Sequence, residues 1–175
     1  MASYNFPLGV SHQDRNFNKI LQIIRSFRGY ETLEDLKAAD DQVRRQLVRQ
    51  LDKAEQESAG AREKLAAGMH LRVLPDFDAM VGRIRGDRDL LADDYRGKIV
   101  ACHLYRPEKG MISELYELDF RMLSDAENVY NLMQEFARMD REDMMLSNIY
   151  KIDVSLREMA DSMNKRGEII GCMID

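Results

Sequence analysis

The sequence predicts a mainly α-helical protein, an elongated antiparallel bundle built on a long coiled-coil-like helical hairpin. Three observations carry that expectation. Only 3 prolines and 10 glycines interrupt 175 residues, and the chain is rich in Leu, Ala, Glu, Arg and Met, which lose little on entering a helix. Apolar residues recur at steps of three and four along most of the length, the period of a helix face. In residues 32–68 the recurrence narrows to one stripe, Leu33, Leu36, Val43, Leu47, Leu51, Ala54, Ala61 and Leu65. A helix of that length reaches about 50 Å at about 1.5 Å per residue. It must cover its stripe with other helices of the chain or with a second copy.

Composition sets the outer limits. Hydrophobic residues make up 45% and charged residues 33%, which suits a folded chain with a core of its own, and the length suits a single helical domain, residues 1–175. The net charge is −5, which argues against nonspecific nucleic-acid binding. It is unevenly spread: residues 1–110 carry 19 basic and 17 acidic residues, residues 111–163 carry 5 and 12. Cys102 and Cys172 form no CxxC pair, and two scattered thiols suit a reducing compartment. The first residues lack the basic and apolar regions of a signal peptide, and no apolar run is long enough to span a bilayer. A cytoplasmic protein without a membrane span is expected.

Taken in order, residues 1–10 read as an extended arm with Pro7 and Gly9. Ser11 caps a first helix running to about Arg28, with Phe17, Ile20, Leu21, Ile24 and Phe27 on one face and Gly29 just past its end. Thr32 starts the long helix, with Glu34 and Asp35 in its first turn, and Gly60 and Gly68 weaken its far end. Pro75 marks a boundary. From Asp76, Phe77, Val81, Ile84, Leu91, Tyr95, Ile99 and Cys102 trace a second long run. Folding it back with a turn near residue 71 makes facing positions sum to about 143, which sets Asp40 level with His103 and Glu55 level with Arg88.

Residues 98–122 admit two readings. Lys98 to Arg106 and the alternation of Tyr116, Leu118, Phe120 and Met122 around Pro107-Glu108-Lys109-Gly110 describe a β-hairpin. Ile112, Leu115, Leu118 and Met122 also follow helical spacing, and helix is the expectation because the flanking chain is helical. Ser124-Asp125-Ala126-Glu127 is a capping box that starts a helix or lies inside one. The polar run Asp140-Arg141-Glu142-Asp143 is a bend. A last helix then carries Met145, Ile149, Ile152, Leu156, Met159 and Met163 and ends at Lys165-Arg166-Gly167. The apolar tail, residues 164–175, docks after it, as a short strand in this reading.

The chemistry-bearing residues are sparse. None of the three histidines, His12, His70 and His103, has a glutamate three residues before it, so the ligand pattern of a helical di-metal centre is missing. Cys102 and His103 are neighbours, and neighbours on a helix or strand point apart, so the imidazole cannot activate the thiol. No Gly-rich phosphate loop, nucleophile elbow or zinc spacing occurs. No cofactor or metal is expected, and no catalytic residue is assigned.

Methionine usage is the departure that points to function. Nine of the 12 methionines follow residue 110, and thioethers adapt to variable partner surfaces. The expectation is a noncatalytic cytoplasmic interaction module, an adaptor, chaperone-like protein or scaffold, that binds another protein or itself. Leu36, Val43, Leu47 and Leu51 would form a self-associating seam. Met133, Met144, Met145 and Met159 would contribute a second surface. The alternative is a small-molecule- or metal-binding helical domain with a polar site between helices at Asp40, His103 and Arg88.

Overall fold

Local chemistry sets where each helix starts and stops in the computed structural model, which describes residues 14–92 and 105–174. Among them lie α1 (Arg15–Ile23), α2 (Leu33–Ala67), α3 (Leu74–Ala92), α4 (Lys109–Phe136) and α5 (Glu142–Ile174). Asp14 caps α1, its carboxylate accepting from the backbone N–H groups of Asn16 at 2.7 Å and Phe17 at 3.3 Å. Ser11, the expected cap, lies outside the described residues. The helix stops at Ile23, short of Arg28, and the chain turns through Gly29 in the left-handed region at φ 84°. That turn lets Ile24, Phe27 and Tyr30 fold inward beside Phe17.

Thr32 caps α2 by accepting from the Asp35 N–H at 3.1 Å. After Gly68 the chain reverses through Met69, which takes a left-handed φ of 57°. A Cβ on Gly68 would lie 2.9 Å from the His70 ring, so glycine is what lets the turn close. Pro75 sits in the first turn of α3, where its missing N–H is no loss. The hairpin register comes out near the expected one: Glu55 meets Arg88 and Arg85, and Arg62 meets Asp78 at 2.8 Å. The run past Ala92, with Tyr95, Ile99 and Cys102, lies outside the described residues.

Residues 109–136 form one helix, so the β-hairpin alternative is not supported. Ile112, Leu115, Leu118 and Met122 all lie on its buried side. The alternation at residues 116–122 arises because Tyr116, Leu118 and Met122 fall within one wide buried face, with Phe120 at its edge. The Ser124 capping box lies inside this helix, where the Ser124 hydroxyl donates to the Phe120 carbonyl at 2.8 Å. The bend falls at residues 137–141, earlier than the expected run Asp140-Arg141-Glu142-Asp143, whose last two residues already lie in the first turn of α5.

The end of α5 differs from expectation. The helix passes through Gly167 and continues to Ile174, and the tail docks as helix, not strand, with Ile170 and Met173 buried. Arg166 is 3% exposed. A basic residue that sequence alone places at a helix end is held inside by carboxylates from two other helices.

Four helices close a ring. α2 lies antiparallel to α3 and beside α4, α4 lies antiparallel to α5, and α3 runs along α5. Arg83–Asp153 at 2.6 Å and His70–Glu142 at 3.4 Å tie α3 and its turn to α5. The elbow of α1 caps one end through an aromatic cluster of Phe17, Phe27, Tyr30 and Tyr116. Apolar side chains from all five helices form the core between them, and no helix is long and apolar enough to cross a membrane among the described residues.

Candidate functional site

The residues expected to form a seam face inward. Leu36, Val43, Leu47 and Leu51 are between 0% and 1% exposed, and the helices packed on α2 are α3 and α4 of the same chain. The stripe is covered from within, which leaves these side chains no surface to offer a second copy. Met133, Met145 and Met159 are likewise buried, and of the four methionines assigned to a second surface only Met144 reaches solvent, at 47%. Adjacent residues on a helix point about 100° apart, and here Met145 turns in while Met144 turns out.

Two members of the polar trio, Asp40 and Arg88, lie apart. Arg88 pairs with Glu55, Asp52 and Asp89 on the hairpin. Asp40 lies about 20 Å further back along α2, at about 1.5 Å per residue, and its partners are Arg166 and Arg44. His103 lies outside the described residues. Pairing by hairpin register succeeded for Glu55 and Arg88; the pairing of Asp40 with His103 lies outside the described residues, among which the partners of Asp40 come from α5 and from α2 itself.

What fills that space is a buried polar cluster that sequence reasoning missed. The Arg166 guanidinium donates through Nε to Asp119 at 2.6 Å, through Nη1 to Asp40, and through Nη2 to the Tyr30 hydroxyl at 3.2 Å. The Tyr30 hydroxyl donates in turn to the other oxygen of Asp119. Arg44 completes Asp40 from one turn along α2 at 3.0 Å. The backbone of Tyr30 is also held: its N–H donates to the Tyr116 hydroxyl at 3.4 Å, and its carbonyl accepts from the Tyr105 hydroxyl at 2.6 Å. Two arginines meet two aspartates, so the cluster carries no net charge.

Burial alone would raise the Asp40 carboxyl, but Arg166 and Arg44 outweigh it and hold the group below its ordinary range. Asp119 is different: burial lifts it above the usual carboxylate range even with Arg166 opposing. Burial and the Asp119 charge keep the Tyr30 phenol protonated, well above its usual range. Burial disfavours the Arg166 cation, yet Asp119, Tyr30 and Asp40 together hold it charged. Each guanidinium nitrogen of Arg166 and the Tyr30 hydroxyl already has an acceptor in the chain, so the cluster's chemistry is that of a brace joining the α1–α2 turn, α2, α4 and α5. Its signal in the sequence was the interruption of apolar stripes. Asp119 follows Leu115 and precedes Met122, while Arg166 stands between Met159 and Ile170 at helical steps.

The opposite end has the reverse character. Among the described residues, Met69, Leu71, Leu90, Met144, Leu146 and Tyr150 are the exposed large apolar side chains. All but Leu90 lie near the α2–α3 turn or the first turns of α5. Close by, Asn148 is 1% exposed, and neither its amide nitrogen nor its oxygen has a partner among the described residues. The first turns of α5 therefore place apolar groups outside and an amide inside. Among the described residues no group of three His, Cys, Asp or Glu side chains is placed to hold a metal ion. No family model matches the chain, and no curated protein or solved structure matches it.

Proposed function

We propose that this chain is a noncatalytic protein-interaction module, an adaptor or scaffold, that works through exposed apolar helix surface. The observation that carries the reading is the exposure of Leu71 at 62%, Leu90 at 61%, Leu146 at 42% and Tyr150 at 65%. These residues belong to α3, α5 and the turn that precedes α3. Leu146 and Tyr150 stand on α5 at four-residue spacing, and Asp153, which pairs with Arg83 of α3, continues their row. Large apolar side chains grouped on one side of a protein mark contact surface more often than chance placement. The stripe of Leu36, Val43, Leu47 and Leu51 is taken up by the core, so the reading moves the contact from α2 to the α3–α5 side. Scattered cysteines support a reducing, cytoplasmic setting for it.

The test is a double substitution, Leu146→Glu with Tyr150→Glu, in the full chain. Both side chains are exposed, so helicity and melting temperature stay near those of the parent. Native mass spectrometry of the parent shows an assembly or a captured protein partner, and the variant shows a bare monomer. A parent that is monomeric and carries a stoichiometric metal or small molecule, unaffected by the double substitution, would overturn the reading.

A further inference from the structure

Between the elbow that follows α1 and the first half of α2 lies an open hollow of about 390 Å³. Hollows of about 300–1,000 Å³ are the size in which proteins hold small molecules. Its charged groups are not balanced as those of the buried cluster are. Arg25 lines it from the elbow, and Asp41, Arg45 and Arg49 line it from α2 at four-residue steps. Asp41 pairs with Arg45 at 2.5 Å. Arg25 and Arg49 have no carboxylate within ion-pair reach among the described residues. Three guanidinium groups thus stand against one carboxylate, a local charge of +2 on a chain whose net charge is −5. Like charges four residues apart on a helix repel, so the fold itself gains nothing from setting Arg45 and Arg49 beside Arg25.

The walls of the hollow are tied together. Gln42 Nε2 donates to the Ser26 carbonyl and to the Ser26 hydroxyl, each at 3.1 Å, which fixes the elbow against α2. The Ser26 hydroxyl accepts in that bond and keeps its own hydrogen to donate to a ligand. One turn beyond the hollow along α2 the charges offset one another: Glu34 stands near Lys37, and Asp52, next to Lys53, faces Arg88 at 3.6 Å. The surplus is therefore confined to the hollow. We infer that the hollow binds a phosphoryl oxyanion, either the phosphate or pyrophosphate of a soluble small molecule or the phosphomonoester headgroup of a lipid. Guanidinium donors meet phosphate oxygens two at a time. A surplus of two cations also matches the about two negative charges of a phosphomonoester at neutral pH.

The inference goes beyond the interaction reading and does not depend on it, since the hollow lies on α2 and the elbow, away from Leu146 and Tyr150. Two measurements on the full chain test it: calorimetric titration with inorganic pyrophosphate, and co-sedimentation with phosphatidylcholine vesicles made with and without phosphatidic acid. The parent binds pyrophosphate, the phosphatidic acid vesicles, or both. Arg25→Gln with Arg49→Gln weakens that binding roughly tenfold or more, the loss of hydrogen bonds to a charged group. Both side chains are exposed, so the melting temperature without ligand stays at that of the parent. Arg141→Gln, which removes an exposed cation at the other end of the bundle, leaves binding unchanged. Pyrophosphate binding without vesicle retention assigns a soluble ligand, and retention that requires phosphatidic acid assigns a lipid headgroup. A parent that binds neither overturns the inference. So does binding that the double variant leaves intact, or that Arg141→Gln weakens equally, because overall charge would then account for it.

Discussion

The two ends of the bundle solve opposite problems. Where Tyr30, Asp40, Asp119 and Arg166 meet, charge is buried and every group is paired. About 40 Å away along α2, at about 1.5 Å per residue, the turn end leaves Met69 and Leu71 in solvent and buries Asn148 without a partner among the described residues. Paired buried charge fixes a unique arrangement, because sliding any of four segments would strand a carboxylate or the guanidinium. Exposed apolar groups fix nothing within the chain. One end specifies the fold, and the other leaves apolar side chains in solvent.

The largest effect comes from breaking the specified end. Arg166→Met leaves Asp40 with only Arg44, and Asp119 with only the Tyr30 hydroxyl. Removing one partner of a buried ion pair costs about 3–5 kcal/mol, and urea unfolding should show that loss with the slope unchanged. Replacing the group together, Arg166→Met with Asp119→Leu, Asp40→Leu and Tyr30→Phe, should recover most of it, since a well-packed apolar substitute for a buried charged cluster is often near neutral. A combined variant no more stable than Arg166→Met alone would show that the cluster does more than balance its own burial.

The next effect has the opposite sign and lies at the other end. Asn148→Ala removes a buried amide whose donor and acceptor both lack partners among the described residues. An unsatisfied buried polar group costs about 1–3 kcal/mol, and alanine is also the better helix former. After allowing for the small cavity, we expect a gain of about 1 kcal/mol by urea unfolding. A loss of that size would mean that the amide has a partner in solution, such as an ordered water.

How far the sequence revealed this architecture follows from which contacts are local. Thr32 as a cap, the hairpin turn near residue 71, the Glu55–Arg88 pairing and a bend close to Asp140 were all legible, because each depends on neighbours in the chain or on one short connection. Asp40 was legible as an intrusion into an apolar stripe. Its partner was not, since Arg166 is 126 residues away and four-helix closure, not hairpin register, brings them together. The same limit explains Arg166 itself. Lys165-Arg166-Gly167 has the local form of a helix end, and only the carboxylates of α2 and α4 make it a helix interior. The stripe on α2 was read correctly as needing cover. Whether that cover is internal is decided by α4, whose helix-or-hairpin character the sequence left open.

Midway along α2 lies a smaller test that neither end influences. Gly60 is exposed within the helix, and an added Cβ meets no atom within 4 Å among the described residues. Gly60→Ala should raise stability by up to about 1 kcal/mol through helix propensity and a less flexible unfolded chain. Thermal unfolding measures it. Because Gly60 lies on α2, away from Leu146 and Tyr150 of α5, the same substitution should leave the proposed contact untouched.

The smallest effect is a pH dependence between the two ends, at Asp125 on α4. Burial, and then the nearby Glu158 charge of α5, push this carboxyl up to about 6, with Arg121 pulling the other way. One of its oxygens is buried without a partner among the described residues. A carboxyl whose folded value lies above its unfolded one binds its proton more readily in the native state. Its contribution is therefore complete below the unfolded value of 3.8 and is lost as pH rises through about 6. Asp125→Asn keeps the shape and removes the charge, so it should flatten the stability profile between those limits and match or exceed the parent at pH 7. The side chain is partly exposed and solvent screens it, so the gain at pH 7 should stay below about 1 kcal/mol. Urea midpoints at a series of pH values would show it. A profile that keeps its slope in the variant would assign the dependence to another carboxyl, and Asp119, the one most deeply buried in the paired cluster, is then the group to replace.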